Sequence, residues 1–181
     1  MKLDGSAPEL DLIDYLILEQ LQENCKRPLA AIGEKVGLTA PSVLERIHKL
    51  EEAGVIRDYV AVLDARRLGK DVTAFIGVSV TSPRALSAFE QAVERIDEVL
   101  ECHHVTGAWS LMVKVKTDDT EGLEHVIDSL REIEGVTRTE TMVVLSTHAE
   151  RTRIPLPVVE QTPPRRRGRN GQRGRRAEAP E

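Results

Sequence analysis

The stretch Leu29-Ala30-Ala31-Ile32-Gly33-Glu34-Lys35-Val36-Gly37-Leu38-Thr39-Ala40-Pro41-Ser42-Val43-Leu44-Glu45-Arg46-Ile47-His48-Lys49-Leu50 decides how the first part of the chain folds. Ile32 and Val36 lie four apart and give a short helix over Leu29–Val36 one inward face. Gly37 supplies a tight turn of the left-handed kind. Thr39 can cap the next helix, and Pro41 falls in its first turn, where a missing N–H costs nothing. Val43, Ile47 and Leu50 then form a buried stripe. The opposite face carries Pro41, Ser42, Glu45, His48 and Lys49, with Arg46 at its flank.

On the N-terminal side, Ile13, Ile17 and Leu21 share one face of a preceding helix. Asp11 suits its N-cap, and Asp14 suits the positive end of its dipole. Pro28 ends that region, because the residue before a proline avoids helical backbone. Gly54 ends the third helix, and the alternation over Ile56–Leu63 predicts a strand. Helix, short helix, tight turn, helix and strand make a winged-type helix-turn-helix. A B-DNA major groove admits one α-helix, braced by the helix before it. Serine can pair with phosphate or base, Arg and Lys with guanine or phosphate, and Glu with cytosine N4. Periodicity alone also fits a three-helix bundle whose outer face is merely solvated.

After a linker at Asp64–Lys70 the pattern changes. Val72, Ala74, Ile76, Val78 and Val80 alternate as a strand. Ser82-Pro83 opens a helix to about Ile96, with Leu86, Phe89, Val93 and Ile96 inward. Strands are expected at Val99–Val105 and Ser110–Val115, joined by a Thr106-Gly107 turn. Thr120 is the expected cap of a helix to about Ile133, with Leu123, Val126, Ile127 and Leu130 on one face. Gly135 ends it, and Val136–Thr147 reads as a long last strand. The order βαββαβ is the ferredoxin-like arrangement, with both helices on one side of an antiparallel sheet. The other face is expected to carry some Val and Ile and to drive self-association.

The 181 residues carry a net charge of −5 and only 3% aromatic residues, so the cores rest on Leu, Ile, Val and Ala. No apolar run approaches the roughly 18 residues of a membrane span, and no secretory leader pattern opens the chain. Cys25 and Cys102 have no metal-ligand spacing. Neither a phosphate-cradling glycine loop nor a nucleophile elbow is present. The charge is unevenly placed: Arg151 to the end carries +6 and the rest −11. From Ile154 onward the apolar pattern is lost, and an Arg/Pro-rich tail over 154–181 is expected to be disordered. It reads either as a solubilising tail or as a non-specific arm on DNA or RNA.

Several motifs together resemble the Lrp/AsnC family of feast/famine regulators. They are Leu10-Asp11-Leu12-Ile13-Asp14 with Ile17-Leu18 and Leu21, Val36-Gly37-Leu38-Thr39, and the run Arg46 to Ile56. Glu101-Cys102-His103-His104-Val105-Thr106-Gly107, Gly135-Val136 and Thr141 continue the match, which covers about Leu10 to Thr147. The resemblance implies an α+β chain: a helix-turn-helix DNA-binding domain over 8–59, a linker strand and hinge over 60–71, and a RAM/ACT-like βαββαβ domain over 72–149. It implies a cytoplasmic, nucleoid-associated regulator binding double-stranded DNA as a homodimer or as tetramers or octamers. On that reading Thr39, Pro41, Ser42, Glu45, Arg46 and Lys49 contact DNA. Val105, Thr106, Gly107, Ser110, Thr139 and Thr141 would bind an amino acid or similar effector. No catalytic residue, metal or cofactor is expected, and no membrane partner.

One departure bears on the effector. The family pattern after the turn glycine is acid-aromatic-acid, whereas this chain has Ala108-Trp109-Ser110. A neutral Ser110 cannot pair with an ammonium group, so an unmodified α-amino acid is expected to bind weakly. Two other readings remain open at this level. Sirohaem decarboxylases are similar in both domains, and His103-His104 precedes the third strand, but their Asn-Leu-Trp-Phe stretch is absent here. An assembly or sensing module without DNA binding fits the acidic balance of −4 over Met1–Val60.

Overall fold

The structure is a computed structural model that describes residues 8–157. The chain divides into two units. Among the described residues, one comprises 8–59 together with 152–157, the other Val60–Arg151.

The first unit holds three helices, α1 (Leu12–Glu23), α2 (Leu29–Val36) and α3 (Ala40–Glu52). Helix α1 begins with a reciprocal capping box: Asp14 N–H donates to Asp11 at 2.9 Å, and Asp11 N–H donates to Asp14 at 3.0 Å. Two otherwise orphaned N–H groups are satisfied in this way. Gly37 ends α2 at φ 73°, a conformation that side chains with a Cβ rarely adopt. Gly33 is buried one turn earlier, and a Cβ built on it would lie 2.4 Å from the Leu38 carbonyl oxygen. The turn between α2 and α3 is therefore tight in two senses, in its backbone handedness and in its lack of space. Ile17, Leu18, Ile32, Val43, Ile47 and Leu50 form the buried cluster of this unit, and Leu156 packs against it.

The second unit runs β1 (Val72–Val80), α4 (Pro83–Val93), β2 (Val99–His104), β3 (Leu111–Thr117), α5 (Thr120–Arg131), β4 (Val136–Val143), after a short 3-10 turn at Arg66–Leu68. The sheet order is β2-β3-β1-β4 with every pairing antiparallel. This is the ferredoxin-like arrangement read from the sequence. Ala74, Ile76 and Val78 of β1 and Leu111, Val113 and Val115 of β3 form one core with Phe89 and Val93 of α4 and Leu123, Val126 and Leu130 of α5. Successive strand residues point to opposite faces, so Phe75, Gly77 and Met112 lie on the face away from the helices.

Several expectations are corrected. Ile56–Leu63 forms no strand. Its alternation is real, but among the described residues no strand pairs with it, and Val60, Val62 and Leu63 are 68–75% exposed. The cap of α5 is Asp119, whose carboxylate accepts from Gly122 N–H at 2.8 Å; Thr120 is the first helical residue. Helix α4 stops at Val93 and β4 at Val143, the last ladder bond running from Val144 N–H to the Thr73 carbonyl at 2.8 Å. Beyond Thr73, β1 has only Val72 left to offer as a partner. The open sheet face does not carry the Val and Ile of β1, which all turn to the helices. It carries Phe75, Met112 and Met142, paired across strands with Lys114, His103 and one another. The apolar pattern also continues past Ile154, since Leu156 is packed. The remainder of the tail assignment, 158–181, lies outside the described residues.

Candidate nucleic-acid interface

Helix α3 turns Val43, Ile47 and Leu50 inward and leaves Pro41, Leu44, Glu45, His48 and Lys49 exposed. Thr39 Oγ1 accepts from Ser42 N–H at 3.4 Å and lies 2.9 Å from the Ser42 hydroxyl. The two hydroxyls close the first turn, leaving the N-terminal edge of the helix polar and outward. Lys49 Nζ meets Glu45 at 2.9 Å in a pair about two-thirds exposed on both sides. Such a surface pair contributes little stability and opens readily to a stronger partner. Glu45 sits below the ordinary carboxylate range because Lys49 donates to it.

Arg46 is placed differently from the other sequence candidates. Its Nη1 lies 2.7 Å from Asp11 and 2.7 Å from Asp14, the two members of the α1 capping box. Burial pushes the Asp11 carboxyl up, but the Asp14 backbone N–H and the Arg46 guanidinium outweigh that and hold it down. The Arg46 guanidinium is in turn raised by its bonds to Asp11 and Asp14. Two carboxylates already neutralise this cation, so the structure places Arg46 as a clamp between α1 and α3 rather than free on the outer face. Lys26, Lys35 and Arg57 make no ion pair among the described residues. In the sequence nothing but charge distinguishes Lys26 and Lys35, and reading by motif passes over them.

In the second unit the turn after β2 is closed by Val105 N–H to the Ser110 carbonyl at 3.1 Å, and Ser110 N–H reaches the Val78 carbonyl at 2.9 Å. Thr106 and Gly107 are exposed at the tip, Gly107 at φ 117°. Ser110 Oγ accepts from Val80 N–H at 3.4 Å. Thr139 pairs with Val78 and Thr141 with Ile76, and Thr139 Oγ1 accepts from Arg131 Nε at 2.9 Å. The turn leads into β3 and the threonines lie on β4, with β1 between them. Two strand spacings set that separation at roughly 10 Å. None of these six residues lines the cavity of about 480 Å³ in this unit, which is bounded by Asp64, Arg66, Lys70, Lys116, Thr147 and Glu150 among others.

The open sheet face has two further features. Trp109 lies flat on Gly77: a Cβ there would be 2.6 Å from the indole. The Arg138 guanidinium stands 4.7 Å from the Trp109 ring centre, a cation–π stack. Beside it Lys114 joins Glu101 at 3.0 Å and Glu150 at 2.6 Å, and Lys116 joins Glu150 at 3.3 Å. His103 shares this face and lies 3.2 Å from Glu101, whereas His104 pairs with Leu111 on the helix side. The two histidines therefore point to opposite faces and do not form a catalytic pair.

A capped, outward-facing helix after a tight turn, followed in the chain by a four-stranded α+β domain, defines a helix-turn-helix regulator with a separate ligand-binding domain. Residues 10–51 match the AsnC-type helix-turn-helix domain, and residues 73–154 match the Lrp/AsnC ligand binding domain. The chain belongs to the Lrp/AsnC family of transcriptional regulators. It is 37% identical over 147 residues to the HTH-type transcriptional regulator FL11 of Pyrococcus horikoshii, covering 81% of this chain and 97% of that one. It is similar to the crystal structure of the regulator NMB0573 of Neisseria meningitidis in complex with L-Met, with a TM-score of 0.76, 32% identity and 81% and 97% coverage. The feast or famine regulatory protein of M. tuberculosis complexed with L-methionine gives a TM-score of 0.77 at 26% identity, covering 82% and 100%.

Proposed function

We propose that this chain is a sequence-specific transcriptional regulator that reads double-stranded DNA with α3. The observation that carries this is the two-sided character of that helix: Val43, Ile47 and Leu50 are buried behind it, while Ser42, Glu45, His48 and Lys49 remain available in front. Ser42, Glu45 and Lys49 meet base edges or phosphates, and Pro41 and Thr39 shape the end that enters the groove. Arg46 acts as a positioning residue through α1. Lys26, Lys35 and Arg57 supply phosphate contacts. The assignment of 8–59 to DNA, 60–71 to a hinge and 72–149 to assembly and effector belongs to this proposal. Selecting bound fragments from genomic DNA and titrating the winners by gel shift tests it. Affinity that does not distinguish selected from shuffled duplexes would overturn it.

The protein works as a homo-oligomer in the cytoplasm, without a chemical reaction of its own. Support comes from the open sheet face, where Phe75 and Met142 are exposed and Met112 is half-buried, and from relatives named as transcriptional regulators. An effector of amino-acid type binds around the Val105–Ser110 turn, with Thr139 and Thr141 across β1. Two structural neighbours hold L-methionine. In this chain a neutral Ser110, whose Oγ accepts from Val80 N–H, stands where the acid is expected and offers no countercharge to an ammonium group, so an unmodified amino acid binds weakly. A ligand without a free ammonium group fits better.

A further inference from the structure

Helix α3 carries four large aliphatic side chains, and they do not share one environment. Val43, Ile47 and Leu50 belong to the buried cluster of the helix-turn-helix unit. Leu44 belongs neither to that cluster nor to the partly buried side chains packed against it, and 39% of it is exposed. Pro41, three residues before it, and His48, four residues after it, are exposed as well. At those spacings the three side chains lie on one face of the helix. Ser42, Glu45 and Lys49 form a second stripe beside it, tied by the Lys49–Glu45 pair at 2.9 Å. The accessible side of α3 is therefore divided lengthwise. One stripe is polar and charged, and the other begins with two apolar side chains, Pro41 and Leu44.

A helix seated in a major groove loses water from this whole side, so each stripe must meet groove chemistry that suits it. Guanine, adenine and cytosine present polar atoms there: N7, O6, N6 and N4. Thymine alone adds a methyl group, beside its O4 acceptor. A leucine pressed against polar base edges leaves their donors and acceptors without partners, which is costly. Pressed against a methyl group, it removes apolar surface from water on both sides. Leu44 is the fifth of the thirteen residues of α3, and the N-terminal part of such a helix is what reaches base edges. A protein partner would find too little carbon here for a stable interface, with Glu45 and Lys49 alongside. We infer that Leu44, flanked by Pro41, reads thymine methyl groups in the major groove and is a specificity-determining residue of this chain. This rests on the proposal that α3 reads DNA, and it adds the base: the polar stripe selects a hydrogen-bonding pattern, whereas the Leu44 stripe requires thymine.

Uracil pairs as thymine does and lacks only the C5-methyl group, so it isolates this contact. On a duplex selected from genomic DNA, each thymine is replaced in turn by uracil. Affinities are measured by gel shift for the full-length parent, Leu44→Ala and Leu44→Gln. Burial of one methyl group contributes about fourfold in affinity, from about 0.8 kcal/mol. The parent is expected to lose about fourfold at one or more thymines of the selected site. Both variants are expected to bind the thymine and uracil forms of those positions alike. Leu44→Gln keeps the reach of the side chain without its apolar end, so it separates loss of the contact from loss of bulk. Leu44 joins no buried cluster, and both variants are expected to keep the parent's urea midpoint. The uracil scan of the parent needs no variant at all, so a flat scan overturns the inference by itself. A uracil penalty that persists in both variants would overturn it too. So would a variant that changes the mass of the protein in solution and leaves the thymine preference intact, since Leu44 would then be an assembly contact. If the parent does not distinguish the selected duplex from a shuffled one, the reading by α3 fails. If it does and the scan is flat, that reading stands and only the role of Leu44 falls.

Discussion

Arg46 on α3 donates to Asp14 on α1 at 2.7 Å, and Asp14 is itself half of the capping box that starts α1. One guanidinium thereby holds the N-terminus of the first helix and the flank of the third. The contact spans 32 residues of sequence.

Arg46 and Lys49, though one turn apart, therefore have separable roles. Arg46→Ala leaves two partly covered carboxylates without a cation and lowers the stability of the helix-turn-helix unit by about 1 kcal/mol, discounted for exposure. Lys49→Ala leaves the urea midpoint unchanged and weakens DNA binding by about 1–3 kcal/mol. Measuring both variants by urea denaturation and gel shift separates them. Equal stability in Arg46→Ala and the parent would contradict the clamp.

Gly33→Ala places a methyl carbon 2.4 Å from the Leu38 carbonyl oxygen. The oxygen belongs to the backbone of the turn and cannot swing aside. Overpacking of this kind costs about 1–3 kcal/mol and shifts α3 against α2. Both the denaturation midpoint and the affinity for selected DNA are expected to fall. A fully stable Gly33→Ala protein would mean that the turn relaxes freely.

Gly77→Ala displaces the indole of Trp109 from the sheet and breaks its stack on Arg138. Trp109 is the sole tryptophan of the chain, so its fluorescence reports on this site alone. Emission shifts to longer wavelength as the ring gains water, while far-ultraviolet circular dichroism stays unchanged. An unaltered spectrum would show that the ring does not rest on Gly77.

The open-face ion pairs set an acid limit on stability. Lys114 and His103 hold the Glu101 carboxyl below its ordinary 4.5, and Lys114 and Lys116 hold Glu150 below the same value. A carboxylate depressed in the folded state is protonated first in the unfolded chain as the pH drops. Its contribution is present in full above about 4.5 and is lost as the pH falls through the folded value. Denaturation midpoints therefore decline below that pH, and Glu150→Gln, which carries no charge to lose, declines less steeply between pH 5 and pH 3. Parallel curves would exclude Glu150 from the acid response.

Ser110→Asp restores an acid at the turn. Titration calorimetry with L-methionine is expected to show weak binding to the parent and at least about tenfold tighter binding to the variant, since a countercharge for a buried ammonium is worth upwards of about 1.4 kcal/mol. Tight binding to the unaltered protein would overturn the assignment of Ser110.

Features carried by local spacing were legible in the sequence. The stripe Val43-Ile47-Leu50, the turn at Gly37 and the alternation of β1 each depend on neighbours within one or two turns, and each is found at its expected place. What escaped depends on distant partners. Arg46 looked like a surface cation because Asp11 and Asp14 lie more than thirty residues away. Ile56–Leu63 looked like a strand because alternation reports which side chains are apolar, not whether another strand stands beside them. Asp119 and Thr120 are both good caps, and only the reach to Gly122 N–H decides between them. The contact of Trp109 with Gly77 joins β1 to the loop before β3 and has no local signature.

The bond between Gln22 and Ile154 joins positions 132 residues apart. A chain made from its N-terminus outward completes α1, α2 and α3 long before Ile154 has left the ribosome. The N-terminal unit therefore matures in two stages. Its three helices assemble early, and Leu156, which packs against their apolar cluster, arrives only after the whole of the second unit has been translated.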